Sequence, residues 1–554
     1  MEVVQHRRDV TLLIHKYREL ILLVIIIGIG LWFRLSNISL HVWQLMGYDE
    51  SRDTLVARHI VEYGDRIWRG PFASGSKNLL MNSPVYYYFM AVLWFIGRSP
   101  AAMLALWSLL LAGLMYLGYR LGTLMWDSRL GIITALLFAV QPTFISNSRH
   151  ISQPYVLPLF SLLFLVAFWR KLPVTPVRLC MFAVLILMPM HFHYGGMLML
   201  PAVGIWLGRE WVRVLPKPDY GWVEKIAPVL VVQYFILIWA WLTYWQKPFD
   251  QQVFFFQEAG RDWVSVVVQM QQAAVAMFDN IWWSKDPGVV LGILVCFVGI
   301  TLWHFHTDRK DPVARNKYWW MVVFALTPPV VAGFHGDIIH TSYMLSVLPL
   351  HILIIAMGIR VIMAKNKYIA IVCLLLVVAV FSEQALTVHA EAPKRSYYRQ
   401  LQDVAVALYN DYLLQEPNAK SEEPRIALAV LGGRYLPQDR WGTGALWFFL
   451  EDYFSRRLVR LHDDDVNFSP TIQKPRYFYV LCDYRGFVRG EGDKCLQKFR
   501  GARAYLMPDE EKVYTSGLFD LWRFRIDEAQ SVENYNVMYL SLIHISEPTR
   551  QAEI

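Results

Sequence analysis

Apolar runs separated by short polar breaks fill the first 390 positions of this chain. About twelve can be read, near 20–36, 84–97, 101–119, 130–146, 151–169, 177–191, 194–208, 226–245, 287–305, 318–335, 342–362 and 367–388. Each holds few charges, and most approach the ~20 residues that a bilayer core demands. The pattern predicts an α-helical polytopic membrane bundle of about 11–13 spans. The first run is preceded by the basic flank "HRRDVTLLIHKYRE" and followed by no small-x-small cleavage pattern, so it is expected to remain as an anchor.

Past residue 388 the pattern changes. "EAPKRSYYRQLQDVAVALYNDYLLQEPNAKSEEPRIALAVLGG" has the helical period of ordinary soluble sequence. "RIALAVLG" and "RYFYVLCDY" read as buried strands, with "GALWFFLEDYFSRRL" as a helix between them. The expected organisation is a membrane module over 1–388, with outer loops at 37–83 and 246–286, and a soluble α/β domain over 389–539. The last stretch, "SLIHISEPTRQAEI", resembles a translated sequencing adapter, so 540–554 are set aside as a non-native tail.

Lysine and arginine set the expected orientation. "GREWVRVLPKPDYGWVEK", "HTDRKDPVARNK" and "IRVIMAKNK" are basic and are assigned to the cytoplasm, with the amino terminus. The carboxyl-terminal domain then lies outside, which requires an odd number of crossings; the run at 177–208 is the one expected not to cross simply. Composition agrees with a membrane protein: 55% of the 554 residues are hydrophobic and 18% charged, against about 25% charged in soluble proteins. The 22 tryptophans and 29 tyrosines suit interfacial belts. A net charge of +8 calls for no nucleic acid, because basic loops beside anionic lipid account for it. Cys482 and Cys495 fall in the outer domain, where a disulfide is expected from compartment alone.

Candidate chemistry begins at "LMGYDESRDTLVARHIVEYGD", where Asp49 and Glu50 open an amphipathic helix just past the first span. Acids at a helix start also cap orphan amides, and Arg52 shares a face with Asp49 and Asp53 and can neutralise both. Long structured loops between spans, however, tend to carry function. "HFHYGG" offers His191 and His193, but two histidines do not close a metal site, and polar residues breaking a helix beside a cavity explain them better. No cofactor is expected, and a divalent metal is not favoured. "HGDIIHTSY" adds His335, Asp337 and His340 at a span mouth.

The arrangement of "YDE" opening "SRDTLVARHIVEYGD" after a span, followed by "NSPVYYYFMAVLWFIG", resembles the first module of GT-C glycosyltransferases. The pattern is similar to the dolichyl-phosphate-mannose-protein mannosyltransferase-like and aminoarabinose-transferase-like families. "FAVQPTFISNSRHISQPYVLPLFSLLFLVAF" and "FAVLILMPMHFHYGGMLMLPAVGIWL" resemble two further blocks of these families. The likeness covers about 10–210 well and the later spans in outline. It implies an enzyme that takes a sugar from a polyprenyl-phosphate carrier and transfers it outside the membrane to a hydroxyl or amine of a lipid, glycan or protein. Departures are visible: Asn82-Ser83-Pro84 stands where many relatives have Glu-Lys-Pro-Pro, Gln153-Pro154 where many have Asp-Pro, and His193-Tyr194 where many have Lys-Tyr.

The chemistry can be argued without the family. A polyprenyl phosphate leaves readily, so the acceptor is the partner needing help, and a carboxylate in reach can take its proton as it attacks. One base and direct displacement invert the anomeric carbon. Asp49 is the expected base, and Glu50 is expected to orient it or to bind the acceptor. Expected contacts to the donor phosphate or substrate are Arg52, Arg58, Asn82, Arg149, His150, Gln153, His193, Tyr194 and His340, arginine being suited to bidentate phosphate binding. Two other classes stay open: a transporter or flippase of lipid-linked sugars, and a non-enzymatic scaffold. A transporter should carry paired charges within spans and an internal repeat; few such charges and no repeat are visible. An enzyme should gather these residues at one outer-face cavity.

Overall fold

The structure is a computed structural model that describes residues 2–36, 38, 48–68, 70, 82–170, 173–244, 263–282, 299–300, 312–333, 341–390, 397–417, 426–432, 450, 459–462, 465–470, 477–483, 511–515 and 519–525. Its helices, in chain order, are α1 (Glu2–Leu35), α2 (Tyr48–Glu62), α3 (Val85–Gly97), α4 (Pro100–Met125), α5 (Ser128–Val140), α6 (Pro142–Arg149) and α7 (Leu157–Trp169). They continue with α8 (Pro176–Phe192), α9 (Leu200–Val214), α10 (Trp222–Tyr244), α11 (Trp263–Trp282), α12 (Pro312–Gly333), α13 (Leu348–Lys365), α14 (Lys367–Ala390) and α15 (Tyr397–Gln415). Three 3-10 segments, Gln153–Val156, Tyr194–Met199 and Thr341–Ser346, interrupt the apolar helices. By packing the chain divides into two units, one of residues 1–38, 68–89 and 96–392 and one of 39–67, 90–95 and 393–554.

In the first unit, four helices among the described residues are each long and apolar enough to cross a membrane: α4, most of α10, α13 and α14. α5 and α6, bent by 54° at their break, are long and apolar enough only when taken together. The chain is an integral membrane protein of helical-bundle class.

Side-chain contacts fix which helix ends lie together. Tyr318 of α12 donates to Met125 O at the end of α4 (3.5 Å), and Lys317 to Trp169 O at the end of α7 (3.4 Å). Arg209 of α9 donates to Asn316 of α12 (3.4 Å), and Lys217, just past α9, to Val174 O just before α8 (3.5 Å). Trp211 of α9 donates to Lys225 O in the first turn of α10 at 2.7 Å. Arg360 of α13 grips Asp127, the N-cap of α5, at 3.2, 3.0 and 2.5 Å, and Ser128 donates to Glu19 of α1. All the segments read as basic loops, 208–225, 312–317 and 359–367, therefore share one pole with positions 125–129 and 169–178. Burial alone pushes the Asp127 carboxyl up, but the Arg360 guanidinium, the Leu130 N–H and the charges of Arg360 and Arg129 outweigh it and hold the group below the usual carboxylate range.

Chain direction then gives each helix a sense. The end of α1, the start of α4, the end of α6 and all three 3-10 segments fall at the pole opposite the basic one. Residues 177–208, expected to be the irregular crossing, form α8, which leaves the basic pole and breaks at His193, and α9, which runs back toward that pole. Among the described runs, 84–97 does not go from pole to pole. Its helix α3 has 13 residues, about 20 Å long against a core of about 30 Å. It begins beside Gln153 and His191 and ends at the turn leading into α4, whose own start lies at the same pole.

Two sequence features hold this bundle together. First, α4 and α5 approach closely because glycines face each other: a Cβ on Gly122 would lie 2.8 Å from Gly131 Cα and 2.9 Å from Leu130 C. Second, helix breaks free carbonyls that lipid cannot satisfy. Pro142 has no N–H for the Phe138 carbonyl four residues back. Arg34, fully buried at the end of α1, supplies the donors, to Phe138 O (3.0 Å), Ala139 O (3.1 Å) and its own Gly30 O (2.9 Å). The end of α6 is served in the same way by α4: Trp107 Nε1 donates to Asn147 O at 3.0 Å and Ser108 to Ser148 O at 2.6 Å.

The second unit holds α2, α15 and a four-stranded sheet of order β1-β4-β6-β5, with β1 (Ile426–Gly432), β4 (Tyr477–Asp483), β5 (Glu511–Thr515) and β6 (Phe519–Arg525). β1 and β4 are the two strands read from the sequence, and they pair in parallel. β6 runs antiparallel to both β4 and β5, and β2 (Val459–His462) with β3 (Asp465–Pro470) forms a separate hairpin. The helix expected over 444–458 lies outside the described residues. α15 is tied to the sheet through Asp411, which accepts from Tyr479 at 2.8 Å and pairs with Arg523 at 2.5 Å. Burial and the Asp411 carboxylate raise the Tyr479 phenol far above its ordinary range. Burial lowers Arg523, but its bond to Asp411 and the surrounding acids raise it on balance.

Candidate functional site

Asp49 and Glu50 fall in the first turn of α2, in the second unit, and their side chains lie outside the described set. Further along α2 the arginines already hold carboxylates. Arg52 Nε donates to the neighbouring Asp53 at 2.7 Å, with both side chains buried. Of the two acids it was expected to neutralise, Asp53 is the one it demonstrably engages. Arg58 Nε donates to Glu62 at 2.9 Å, one turn on. Glu62 uses its second oxygen to accept from Trp94 Nε1 at 3.0 Å, and His59 Nδ1 stands 3.3 Å from Asp65. Glu62 and Trp94 carried no signal in sequence, because nothing in their spacing of 32 positions marks them as partners.

In the first unit, the polar breaks at the pole opposite the basic loops come together. The 3-10 segment Thr341–Ser346 packs against both of the others. Asn82 Nδ2 donates to Gln153 Oε1 at 2.9 Å, joining two expected site residues 71 positions apart. His191 Nδ1 lies 3.4 Å from Ser83 Oγ. His193, in extended conformation, ends α8 and accepts from Gly195 N–H at its Nδ1 (3.0 Å), while its ring stands 5.0 Å from that of Tyr343. A glycine is required at 195, since a Cβ there would lie 2.9 Å from the Tyr343 carbonyl. Irregular backbone at this depth is stable only where protein or an enclosed polar space surrounds it.

The remaining expected residues divide. Arg149 is buried and donates through Nε to Phe33 O at 3.0 Å, and through an Nη to the same carbonyl, so it closes the end of α1 as Arg34 closes the end of α5. His150 is the half-buried C-cap of α6. Tyr194 packs with the cluster of Ala183, Leu187, Met190 and Trp239, its ring 6.1 Å from Trp239. His335, Asp337, His340 and Cys495 lie outside the described residues; Cys482 falls in β4, its side chain likewise outside. Among the described residues no three His, Cys, Asp or Glu side chains stand close enough to hold a metal ion.

A helical membrane bundle with its breaks gathered at one pole, carrying an α/β unit in the same chain, is a GT-C-like fold. No protein-family profile matches the sequence, and no curated protein does. Among solved structures, ArnT from Cupriavidus metallidurans bound to undecaprenyl phosphate matches with a TM-score of 0.51 at 11% identity, over 92% of this chain and 97% of that one. The apo form of the same ArnT matches at 0.50 and 12% identity, over 88% and 97%. The Archaeoglobus fulgidus oligosaccharyltransferase in complex with zinc and sulfate matches at 0.46 and 12% identity, over 83% and 68%. The likeness to ArnT is one of fold.

Proposed function

We propose that this chain is a membrane glycosyltransferase that moves a sugar from a polyprenyl-phosphate carrier to a hydroxyl or amine on the extracytoplasmic side. The observation that carries the reading is the fold shared with ArnT over nearly the whole length of both chains, one form of ArnT having been solved with undecaprenyl phosphate. The basic pole is the cytoplasmic one under the positive-inside bias. The pole where the helix breaks converge then faces out, where the carrier's phosphate lies at headgroup depth. Asp49 acts as base toward the acceptor, with Glu50 orienting it, and the carrier phosphate departs as the sugar inverts. No step needs a metal ion.

The test is transfer from a labelled polyprenyl-phosphate sugar in proteoliposomes. Asp49→Asn, which keeps the polar character of the helix start, is expected to abolish transfer while the protein elutes and melts as the native form does. Chelators are expected to leave the native rate unchanged. Full activity of Asp49→Asn removes the base, and no transfer of any label by the native protein removes the enzyme.

A further inference from the structure

Of the helices long and apolar enough to cross a membrane, α10 is the most exposed: 6% of its most apolar stretch is buried, against 22% to 67% in α4, α13 and α14. It packs on α8 through Trp239, which joins Ala183, Leu187 and Met190 in one cluster. In a bilayer its other face lies against lipid. Trp222 and Trp241, both exposed and about 28 Å apart along the helix, stand where interfacial aromatics belong. Gln233 falls between them, about 16 Å past Trp222, in the middle of a core about 30 Å thick. Its side chain is exposed, and it has no hydrogen-bond partner among the described residues. A carboxamide carries two N–H donors and an acceptor oxygen, and hydrocarbon satisfies none of them.

The surroundings of Gln233 suit a helix. Ile226, Leu230, Gln233 and Leu237 recur at steps of four, three and four, the spacing of a coiled-coil seam. Leu230 is 53% and Leu237 67% exposed, so the seam is bare. Val184 of α8 and Tyr234 line a groove together with Leu230, Gln233 and Leu237, which puts a ridge and a groove on one surface. An acyl chain fills such a groove but offers an amide nothing to bond.

We propose that this face of α10 is the interface between two copies of this chain in the membrane, with Gln233 bonded to its own counterpart. Copies inserted with one topology share an orientation, so their two-fold axis runs along the membrane normal and equivalent residues meet at equal depth. At a seam position of two parallel helices a residue faces its own copy. An amide is complementary to itself there, because the N–H of each glutamine donates to the carbonyl oxygen of the other. A charged group would repel its copy, and an apolar one would set no register. The pairing does not depend on the transfer of a sugar.

The experiment measures energy transfer between donor-labelled and acceptor-labelled full chains in proteoliposomes as the protein is diluted with lipid. The native chain is expected to dimerise. Gln233→Leu, which suits lipid better, is expected to weaken the dimer about tenfold while the monomer elutes and melts as the native one does. Gln233→Asn keeps an amide and is expected to retain most of the native affinity. Leu375→Ala, at an exposed position of α14, is expected to change nothing. A native chain that stays monomeric at every dilution overturns the inference and leaves the groove to acyl chains or to a different helical protein. A Gln233→Leu dimer as strong as the native one overturns the α10 interface, and so does a loss that Leu375→Ala reproduces.

Discussion

Arg34→Met tests how the bundle tolerates its breaks. Methionine keeps the apolar stem of the side chain and removes donors to Phe138 O at 3.0 Å, Ala139 O at 3.1 Å and Gly30 O at 2.9 Å. Gly30 O loses least, because it still faces the backbone N–H of its own helix. Phe138 O loses most, because its helical partner would be residue 142, a proline. Two carbonyls made orphans cost about 1–3 kcal/mol each. Removing a buried guanidinium returns part of that, for a net loss of roughly 2–4 kcal/mol. Arg34→Lys, with one ammonium in place of a fork, is expected to lie between. Unfolding in mixed micelles titrated with SDS, followed by tryptophan fluorescence, reads the loss directly. If Arg34→Met is as stable as the native protein, other donors close the α5 carbonyls, and the account of the bent span fails.

Three further outcomes are expected. Gly122→Ala should destabilise by roughly 1–2 kcal/mol despite a better helix former, because its Cβ would meet backbone of α5; Gly113→Ala, in the same helix with nothing within 4 Å, should be neutral or stabilising, and equal effects from the two in the same SDS titration would refute close α4–α5 packing. Asp127 has its carboxyl held below the ordinary value, so its ion pair contributes fully above about pH 4 and is lost as pH falls through the folded value. Asp127→Asn keeps the N-cap and loses the ion pair, so its gap in melting temperature to the native protein at pH 7 should narrow as pH falls below about 4 and vanish below the folded value; a gap that does not narrow at all under acid would place the effect elsewhere. A double-mutant cycle with Asn82→Ala and Gln153→Ala should show a coupling of about 0.5–3 kcal/mol in stability, and additive losses would mean the 2.9 Å bond is not formed in solution.

What could be read from the sequence divides along physical lines. Apolar length and period located the helices, because the bilayer demands both from every span regardless of context. Two strands, β1 and β4, are legible for a related reason: short unbroken apolar runs bounded by polar segments read as strands of a parallel pair. Loop charge also foretold which segments share a pole, since 208–225, 312–317 and 359–367 do meet at one end. Loop charge does not say how each apolar run is laid out between the poles, however. "VYYYFMAVLWFIG" is as apolar as its neighbours, and nothing in its period says that 13 residues stop short of the far side. The break at His193 was visible, but that α8 and α9 run in opposite senses follows only from Lys217 meeting Val174.

The site shows the same division more sharply. Polar positions interrupting apolar runs, Asn82, Gln153 and His193, were legible because water-seeking groups at depth must have a reason to be there. Their pairing was not, since a hydrogen bond between positions 82 and 153 leaves no local pattern. Arginine was the ambiguous residue. Arg149 stands at a span mouth, a place that suits a phosphate contact, and in the fold it also spends two donors on Phe33 O, the same service that Arg34 gives α5. A buried arginine beside a broken helix has two kinds of anionic partner available, a ligand's oxygens and the helix's own orphan carbonyls, and the second is always present. Where a chain breaks several helices at one level, it therefore needs donors for its own backbone, charged as at Arg34 or neutral as at Trp107 and Ser108, before any remain for substrate.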